Sequence, residues 1–411
     1  MIQNLEFLPA WKAPAIAKIH ISEKTEYKIR RHFPWLFRKE IDPAEMPQTH
    51  GCLVAVYGKR NQCVGIGLYD AGSPIAVRIL ADKCAFSAEY LCDVIGKALQ
   101  KRLDSTTFNA NNNGYRLING ESEGLPGIVI DRFDETWVMK VYTYLWQPYL
   151  RDILEGIETR FAPYRLVLRF GRECRADYEK CGLQDGMLII GTDNTPTADF
   201  IEYGIRFRAH VFKGQKTGFF LDQRNNRQRI RALAKGKRVL DLCCFSGGFS
   251  LNAAAGGARE VWSLDGDRHA LQMVRKHYEL NRNIPAVAAT TPVLQRSDVF
   301  DFLEKSARQR QKFDLIIADP PSFASSQAQI KTAIQNYQRL FRAAAACVEK
   351  GGQLLCCSCS SHVGEQLFSE ILQPIIQHLA IDAENLSGLP EDHPTIFAEA
   401  RYLKSWLLTI R

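Results

Sequence analysis

From about residue 193 to its end, the chain alternates between short apolar runs and helical stretches, and few folds accept that rhythm. The runs at 238–243, 260–264, 294–297, 314–318, 353–357 and 403–410 read as strands. Between them, 248–256, 269–281, 327–349 and 362–378 read as helices. Apolar strands separated by helices predict a doubly wound α/β sheet of parallel strands. Such a sheet binds its ligand beyond the carboxyl ends of the strands, near the switch in strand order. The residues that follow each strand are therefore the ones to weigh for chemistry.

Four of them are acids. Asp241 stands near the end of the first strand, and Asp265, Asp298 and Asp319 end the next three. Any one of these reads equally well as a helix N-cap. Together they fit a cationic, ribose-bearing cofactor and fit a pyrophosphate badly; S-adenosylmethionine is such a cofactor. The first strand runs into Cys243-Cys244-Phe245-Ser246-Gly247-Gly248, whose glycines allow close backbone approach ahead of a helix N-terminus. It is not a G-x-G-x-x-G loop, so dinucleotide binding loses ground. Phe245 and Gly247 join the four acids as candidate cofactor contacts, with Gln223 and Arg224 just ahead of the sheet. Asp319-Pro320-Pro321-Ser322-Phe323 is stiffened by two prolines and reads as a floor beneath a flat substrate. Cys356 and Cys357 lie on the fifth strand and read as small core residues. Cys359 comes just past its end, where a thiol is able to ionise more readily.

The remainder of the chain differs in texture. Up to residue 81, runs at 52–57, 64–69 and 75–80 predict a small β-barrel. Residues 82–192 mix types: helices at 88–103 and 147–160, a hairpin of 127–131 with 137–143, and strands at 164–170 and 187–190. A length of 411 residues suits two or three domains. With 46% apolar and 24% charged residues, disorder is excluded. No 18-residue apolar run occurs, and Glu6, Lys12 and Lys18 interrupt the first 21 residues, so neither a membrane span nor a signal peptide is expected. The 12 cysteines show no zinc-ligand clustering with histidine, which predicts free thiols, no metal and a cytoplasmic setting. The formal net charge of +8 is compatible with a nucleic-acid partner. Cations concentrate between Lys213 and Arg238, where Asp222 is the only acid, so Lys216, Arg227, Arg229 and Arg231 are candidate phosphate contacts.

Several strings carry a resemblance to a known family. They are Arg31-His32-Phe33-Pro34-Trp35, Val64-Gly65-Ile66-Gly67-Leu68-Tyr69, Tyr115-Arg116-Leu117, Gly124-Leu125-Pro126-Gly127 and Asp131-Arg132. The most specific is Gly214-Gln215-Lys216-Thr217-Gly218-Phe219-Phe220-Leu221-Asp222-Gln223-Arg224, followed by Asn226-Arg227. The Asp319–Phe323 loop, Ser358-Cys359-Ser360, Asp392-His393-Pro394 and Tyr402-Leu403-Lys404 agree as well. Over nearly its whole length the chain resembles the PUA-domain-containing, RlmI-like class I methyltransferases of 23S ribosomal RNA. The resemblance implies an N-terminal PUA-like β-barrel (1–81), a central α+β domain (82–192) and a C-terminal Rossmann-like class I methyltransferase domain (193–411). It implies S-adenosylmethionine as cofactor and RNA as partner, either 23S rRNA or a large-subunit precursor, and it leaves a homodimer open. The implied reaction is 5-methylcytosine formation, with Cys359 adding to C6 of the base and Asp319 on the cytosine N3/N4 edge. The alternatives are methylation at another position, such as a guanine nitrogen, and a non-catalytic RNA-binding assembly factor. Amino-group methyltransferases place an aromatic residue directly after the two prolines, whereas Ser322 stands there in this chain.

Overall fold

The computed structural model of the chain describes residues 5, 8–9, 12, 15–81, 86–324 and 326–411. Glu6 and the first residues past the expected boundary at 81/82 lie outside the described residues. The contacts divide the chain into two units. One comprises Met1–Ile201, Ala209–Leu221 and Glu391–Ala398; the other comprises Glu202–Arg208, Asp222–Pro390 and Glu399–Arg411.

In the first unit, a five-stranded sheet runs in the order Ile16–His20, Leu53–Tyr57, Cys63–Tyr69, Ile75–Ala81, Trp35–Phe37. The outer strands Ile16–His20 and Trp35–Phe37 are additions to the three runs legible in sequence. A second five-stranded sheet has the order Met187–Ile190, Arg165–Phe170, Thr136–Val141, Ile128–Phe133, Gly114–Asn119. Ser87 caps the helix Ala88–Leu103 through a hydrogen bond from Tyr90 N, and Leu91, Ile95 and Ala98 recur at helical spacing on its buried face. Leu53, Leu68 and Leu80 of the first sheet share one core with Ile95, Ile130 and Trp146, so the two segments that read separately in sequence pack as one body.

Two later strings are built into this unit. Thr217 Oγ1 donates to the buried Asp131, which also holds Arg116 Nε at 2.8 Å. Asp392 Oδ2 accepts from Arg116 N at 2.8 Å, and Asn119 Nδ2 donates to Pro394 O at 2.9 Å. Buried charges such as Arg116 and Asp131 must be paired and hydrogen-bonded. That need fixes where Gly214–Leu221 and Asp392–Pro394 pack.

The second unit is a single seven-stranded sheet with helices. Its strands are β1 (Arg238–Leu242), β2 (Glu260–Asp265), β3 (Thr291–Arg296), β4 (Phe313–Ala318), β5 (Val348–Ser358), β6 (Ala380–Asn385) and β7 (Lys404–Ile410). Its helices are α1 (Arg224–Leu233), α2 (Gly248–Ala255), α3 (Arg268–Leu280), α4 (Pro285–Ala289), α5 (Val299–Arg308), α6 (Ile330–Ala345) and α7 (Glu365–Leu379). The order is β3-β2-β1-β4-β5-β7-β6. β1 to β5 are mutually parallel, and the order reverses beside β1. β7 is antiparallel to both neighbours, which corrects the all-parallel expectation. The long helix expected at 327–349 stops at Ala345, because Val348 already pairs with Phe313 in β5. Leu240, Leu242, Ile316, Leu354 and Leu408 form the sheet's share of the core, against Tyr337 and Phe341 of α6 and Phe368 of α7.

Candidate active site

The switch in strand order leaves the carboxyl ends of β1 and β4 side by side, with Asp241 registered against Ile317. The loop after β1 winds through left-handed backbone at Cys243 (φ 58°), Phe245 (φ 50°) and Gly247 (φ 78°) before α2 begins. Its conformation is held from several sides. Cys244 N donates to Leu264 O at 3.0 Å, and Phe245 N donates to Asp265 Oδ2 at 2.8 Å. From α3, His277 reaches Ser246 O through Nδ1 at 2.8 Å. Arg208 N donates to the other ring nitrogen, Nε2, at 2.9 Å, so Nδ1 carries the proton.

The four strand-end acids take different local roles. Asp241 is buried, and its Oδ2 accepts from both Ser250 N (3.0 Å) and Ser250 Oγ (2.6 Å). Burial, with the charges of Asp319 and Asp265, raises its carboxyl to about 7 against those hydrogen bonds. Asp265 is half-buried and accepts from Phe245 N and, at 2.9 Å, from Asp267 N; each oxygen keeps a lone pair for a ligand hydroxyl. Asp298 is exposed and caps α5, accepting from Phe300 N at 2.8 Å. Asp319 accepts from Gln223 Nε2 at 2.9 Å. The Cys243 thiol records their convergence: burial first, then Asp265, Asp319, Asp241 and Asp298, push it up to about 12. Four carboxylates around one half-buried loop make a strongly negative recess suited to a cation.

Beyond β5, Ser358 Oγ donates to Tyr337 OH at 2.9 Å, and Ser360 Oγ donates to Ala324 O at 2.9 Å. The second bond ties the turn carrying Cys359 to the Asp319–Phe323 loop. Phe323 packs edge-on to Tyr337, with centroids 4.8 Å apart, while Pro321 and Ser322 are exposed. Lys404, opposite Ser358 in the β5–β7 ladder, is buried, and its Nζ donates to Ser360 O and Tyr402 O, both at 2.6 Å. Burial lowers its ammonium to about 8. The sequence marks this lysine only as part of the Tyr402-Leu403-Lys404 string and assigns it no role, since a single cation late in the chain carries no signal of what it will face. Sequence reasoning passed over the C-x-x-C spacing of Cys356 and Cys359. Neither forms a disulfide: Cys356 is buried in β5, whereas Cys359 is half-buried past its end.

Several expected contacts are placed elsewhere. Gln223 is buried between Asp319 and Asn226, whose Nδ2 donates to Gln223 Oε1 at 2.6 Å, so it positions Asp319. Arg224 is buried with its Nε 3.5 Å from Glu202 Oε2. Arg227 corrects the phosphate assignment: it is buried and bidentate to Glu202, at 2.6 and 2.5 Å. Arg231 Nη1 donates to Tyr203 O at 2.9 Å, and the exposed Arg229 is paired with Glu384. Lys216 lies in the first unit, half-buried, with Nζ 4.6 Å from the centroid of the Phe220 ring. Removing one partner of a buried pair leaves an uncompensated charge. Arg227→Ala is therefore expected to destabilise the protein by about 3 kcal/mol. A denaturation midpoint that does not move would refute this structural role.

Among the described residues, no helix is long and apolar enough to cross a membrane, and no group of three or more His, Cys, Asp or Glu side chains is placed to hold a metal ion.

Comparison with known proteins agrees with the architecture. Residues 185–402 match the family of S-adenosylmethionine-dependent methyltransferases, and residues 19–82 match the PUA-like domain. The chain is 38% identical over 407 residues to a ribosomal RNA large subunit methyltransferase of Deinococcus radiodurans, covering 97% of this chain and 98% of that one. It is 31% identical to the ribosomal RNA large subunit methyltransferase I of Aeromonas hydrophila, covering 96% of this chain and all of that one. Among solved structures it shares the fold of a putative methyltransferase complexed with SAH, with a TM-score of 0.81, 20% identity, and coverage of 96% of this chain and 100% of that one.

Proposed function

The chain belongs to the S-adenosylmethionine-dependent methyltransferases, among the PUA-bearing large-subunit ribosomal RNA methyltransferases, and from that premise we propose that it makes 5-methylcytosine in 23S rRNA. It is an S-adenosylmethionine-dependent rRNA methyltransferase; the base and the mechanism are the proposed part. The recess fits the cofactor. Four carboxylates converge there, and burial together with Asp319 and Asp265 raises the carboxyl of Asp241, so a bound cation relieves their repulsion. Asp265 and Asp298 are accessible enough to accept from hydroxyl or amino groups. When bound, S-adenosylmethionine supplies an electrophilic methyl group on a cationic sulfur.

One observation carries the choice of cytosine C5: the Cys359 thiol stands in a turn tied both to Lys404 and to the Asp319–Phe323 loop. C5 of cytosine is a poor nucleophile. Addition of the Cys359 thiolate to C6 makes C5 enamine-like and able to take a methyl group. A cation beside the turn favours the ionised, nucleophilic sulfur. Asp319, held by Gln223, takes the role of hydrogen-bonding the N3/N4 edge in this proposal, which steadies the adduct. Once C5 bears the methyl group, H5 leaves to a base, the C6–S bond breaks, and Cys359 is regenerated.

The direct test is mass mapping of 23S rRNA from cells with and without the protein. One cytosine is expected to lose a methyl group when the protein is absent. If the missing methyl maps to a guanine instead, the covalent reading gives way to nitrogen methylation.

A further inference from the structure

With Arg227 buried and Arg229 and Arg231 already partnered, α1 offers little of the phosphate-binding surface that an rRNA substrate needs. The first unit gathers cations elsewhere. A groove of about 660 Å³ is lined by Arg169, Arg175 and Lys213, with Asp185 and Glu179 as its acids. Asp185 is shared between Arg169 (2.9 Å) and Arg175 (2.7 Å). Arg169 Nη2 also donates to Gly214 O at 3.1 Å, which brings the Lys213–Phe220 segment alongside. Lys140 Nζ donates to Lys216 O at 2.8 Å, so two lysines from distant parts of the chain meet. Each lies near an aromatic ring: Lys140 Nζ is 5.4 Å from the Tyr142 centroid, and Lys216 Nζ is 4.6 Å from that of Phe220. Tyr142 is 43% exposed, unusual for an aromatic ring at the end of an otherwise buried strand.

We propose that this cluster, with Lys140, Lys213 and Lys216 around Tyr142 and the Arg169–Arg175 groove, is an RNA-binding platform that holds phosphates on the lysines and stacks a base on Tyr142. Five cations stand there against Asp185, which pairs with Arg169 and Arg175, and against Glu179 and the nearby Asp131, a net positive balance that a polyanion would neutralise. Lys140 lies beside Arg169 in the parallel strand register, and burial, then Arg169, with Arg175 and Lys216, lower its ammonium to about 8 against the opposing charge of Asp185. An exposed aromatic ring among cations is what single-stranded RNA recognition uses, because every base has a face to stack. A merely solvated basic face does not account for a half-buried lysine pressed against like charges.

This inference rests on the rRNA substrate proposed above, and the test separates the two. Binding of an unmodified 23S rRNA transcript to the full chain is measured across a salt series. Lys213→Gln, at an exposed position, and Lys140→Gln are each expected to flatten the plot of log affinity against log salt by nearly one. Tyr142→Ala is expected to weaken binding about ten-fold with the slope unchanged, and Tyr142→Phe to restore it. S-adenosylmethionine affinity serves as the folding control. If wild type fails to bind the transcript, the substrate assignment falls. If wild type binds and the variants keep its affinity and slope, the platform alone is overturned.

Discussion

Cys359→Ala is expected to abolish methyl transfer, by about a thousand-fold or more, while leaving S-adenosylmethionine binding intact. The argument is positional. Cys356 and Cys357 are buried in β5, and burial holds both thiols well above their ordinary range. Cys243 stands in the cofactor loop, but four carboxylates and burial push it up to about 12, so it holds its proton at neutral pH. Cys359 alone of these is past the strand end and beside a buried lysine. With 5-fluorocytosine in the RNA, fluorine replaces the hydrogen that must leave C5, so the adduct stalls as a covalent protein–RNA complex. Wild type, Cys357→Ala and Cys243→Ser should all form that complex, and Cys359→Ala should not. A complex that survives Cys359→Ala, or methylation that continues without this thiol, would remove the covalent mechanism.

The strand-end acids were legible in the sequence because their signal is local: an apolar run stops and an aspartate follows. What they do once folded was less so. Asp298 caps α5, and Asp241 is spent on Ser250 beneath the loop. The direction of β7 was illegible, since Lys-Ser-Trp-Leu-Leu-Thr-Ile reads the same to a parallel or an antiparallel neighbour. β6 was missed because it is an edge strand with only Ala380 buried, so no apolar alternation marks it. Charge density misled most. Arg224, Arg227 and Ile230 share one buried face of α1 at three-residue spacing, a pattern that is visible in the sequence. Their counter-ion, Glu202, lies more than 20 residues earlier, on the far side of the Gly214–Leu221 string, and nothing local announces it. Cations that looked alike along the chain were sorted by tertiary partners into buried pairs, a surface pair and the lysines of the first unit.

Gly247→Ala is expected to weaken S-adenosylmethionine binding roughly thirty-fold, or about 2 kcal/mol, with little change in the rest of the fold. Two costs add at this one residue. Its φ of 78° is left-handed, where an L side chain is strained by about 1 kcal/mol. A Cβ there would also lie 2.9 and 3.0 Å from the two methyl groups of Val274, which is buried on α3. A β-branched side chain has few rotamers to retreat into, so the loop must shift instead. That shift pulls on Ser246, whose carbonyl holds His277, and on Phe245 N, which holds the Asp265 carboxylate. The loop and the acid are thus displaced together, and the recess loses both its close backbone approach and a ligand acceptor. Val274→Ala added to Gly247→Ala removes the clash but keeps the strained φ. The double variant should therefore recover part of the affinity and stop short of wild type, a coupling that calorimetry reads directly. Full recovery would assign the whole effect to the clash, and unaltered binding by Gly247→Ala alone would show that the loop does not meet the cofactor.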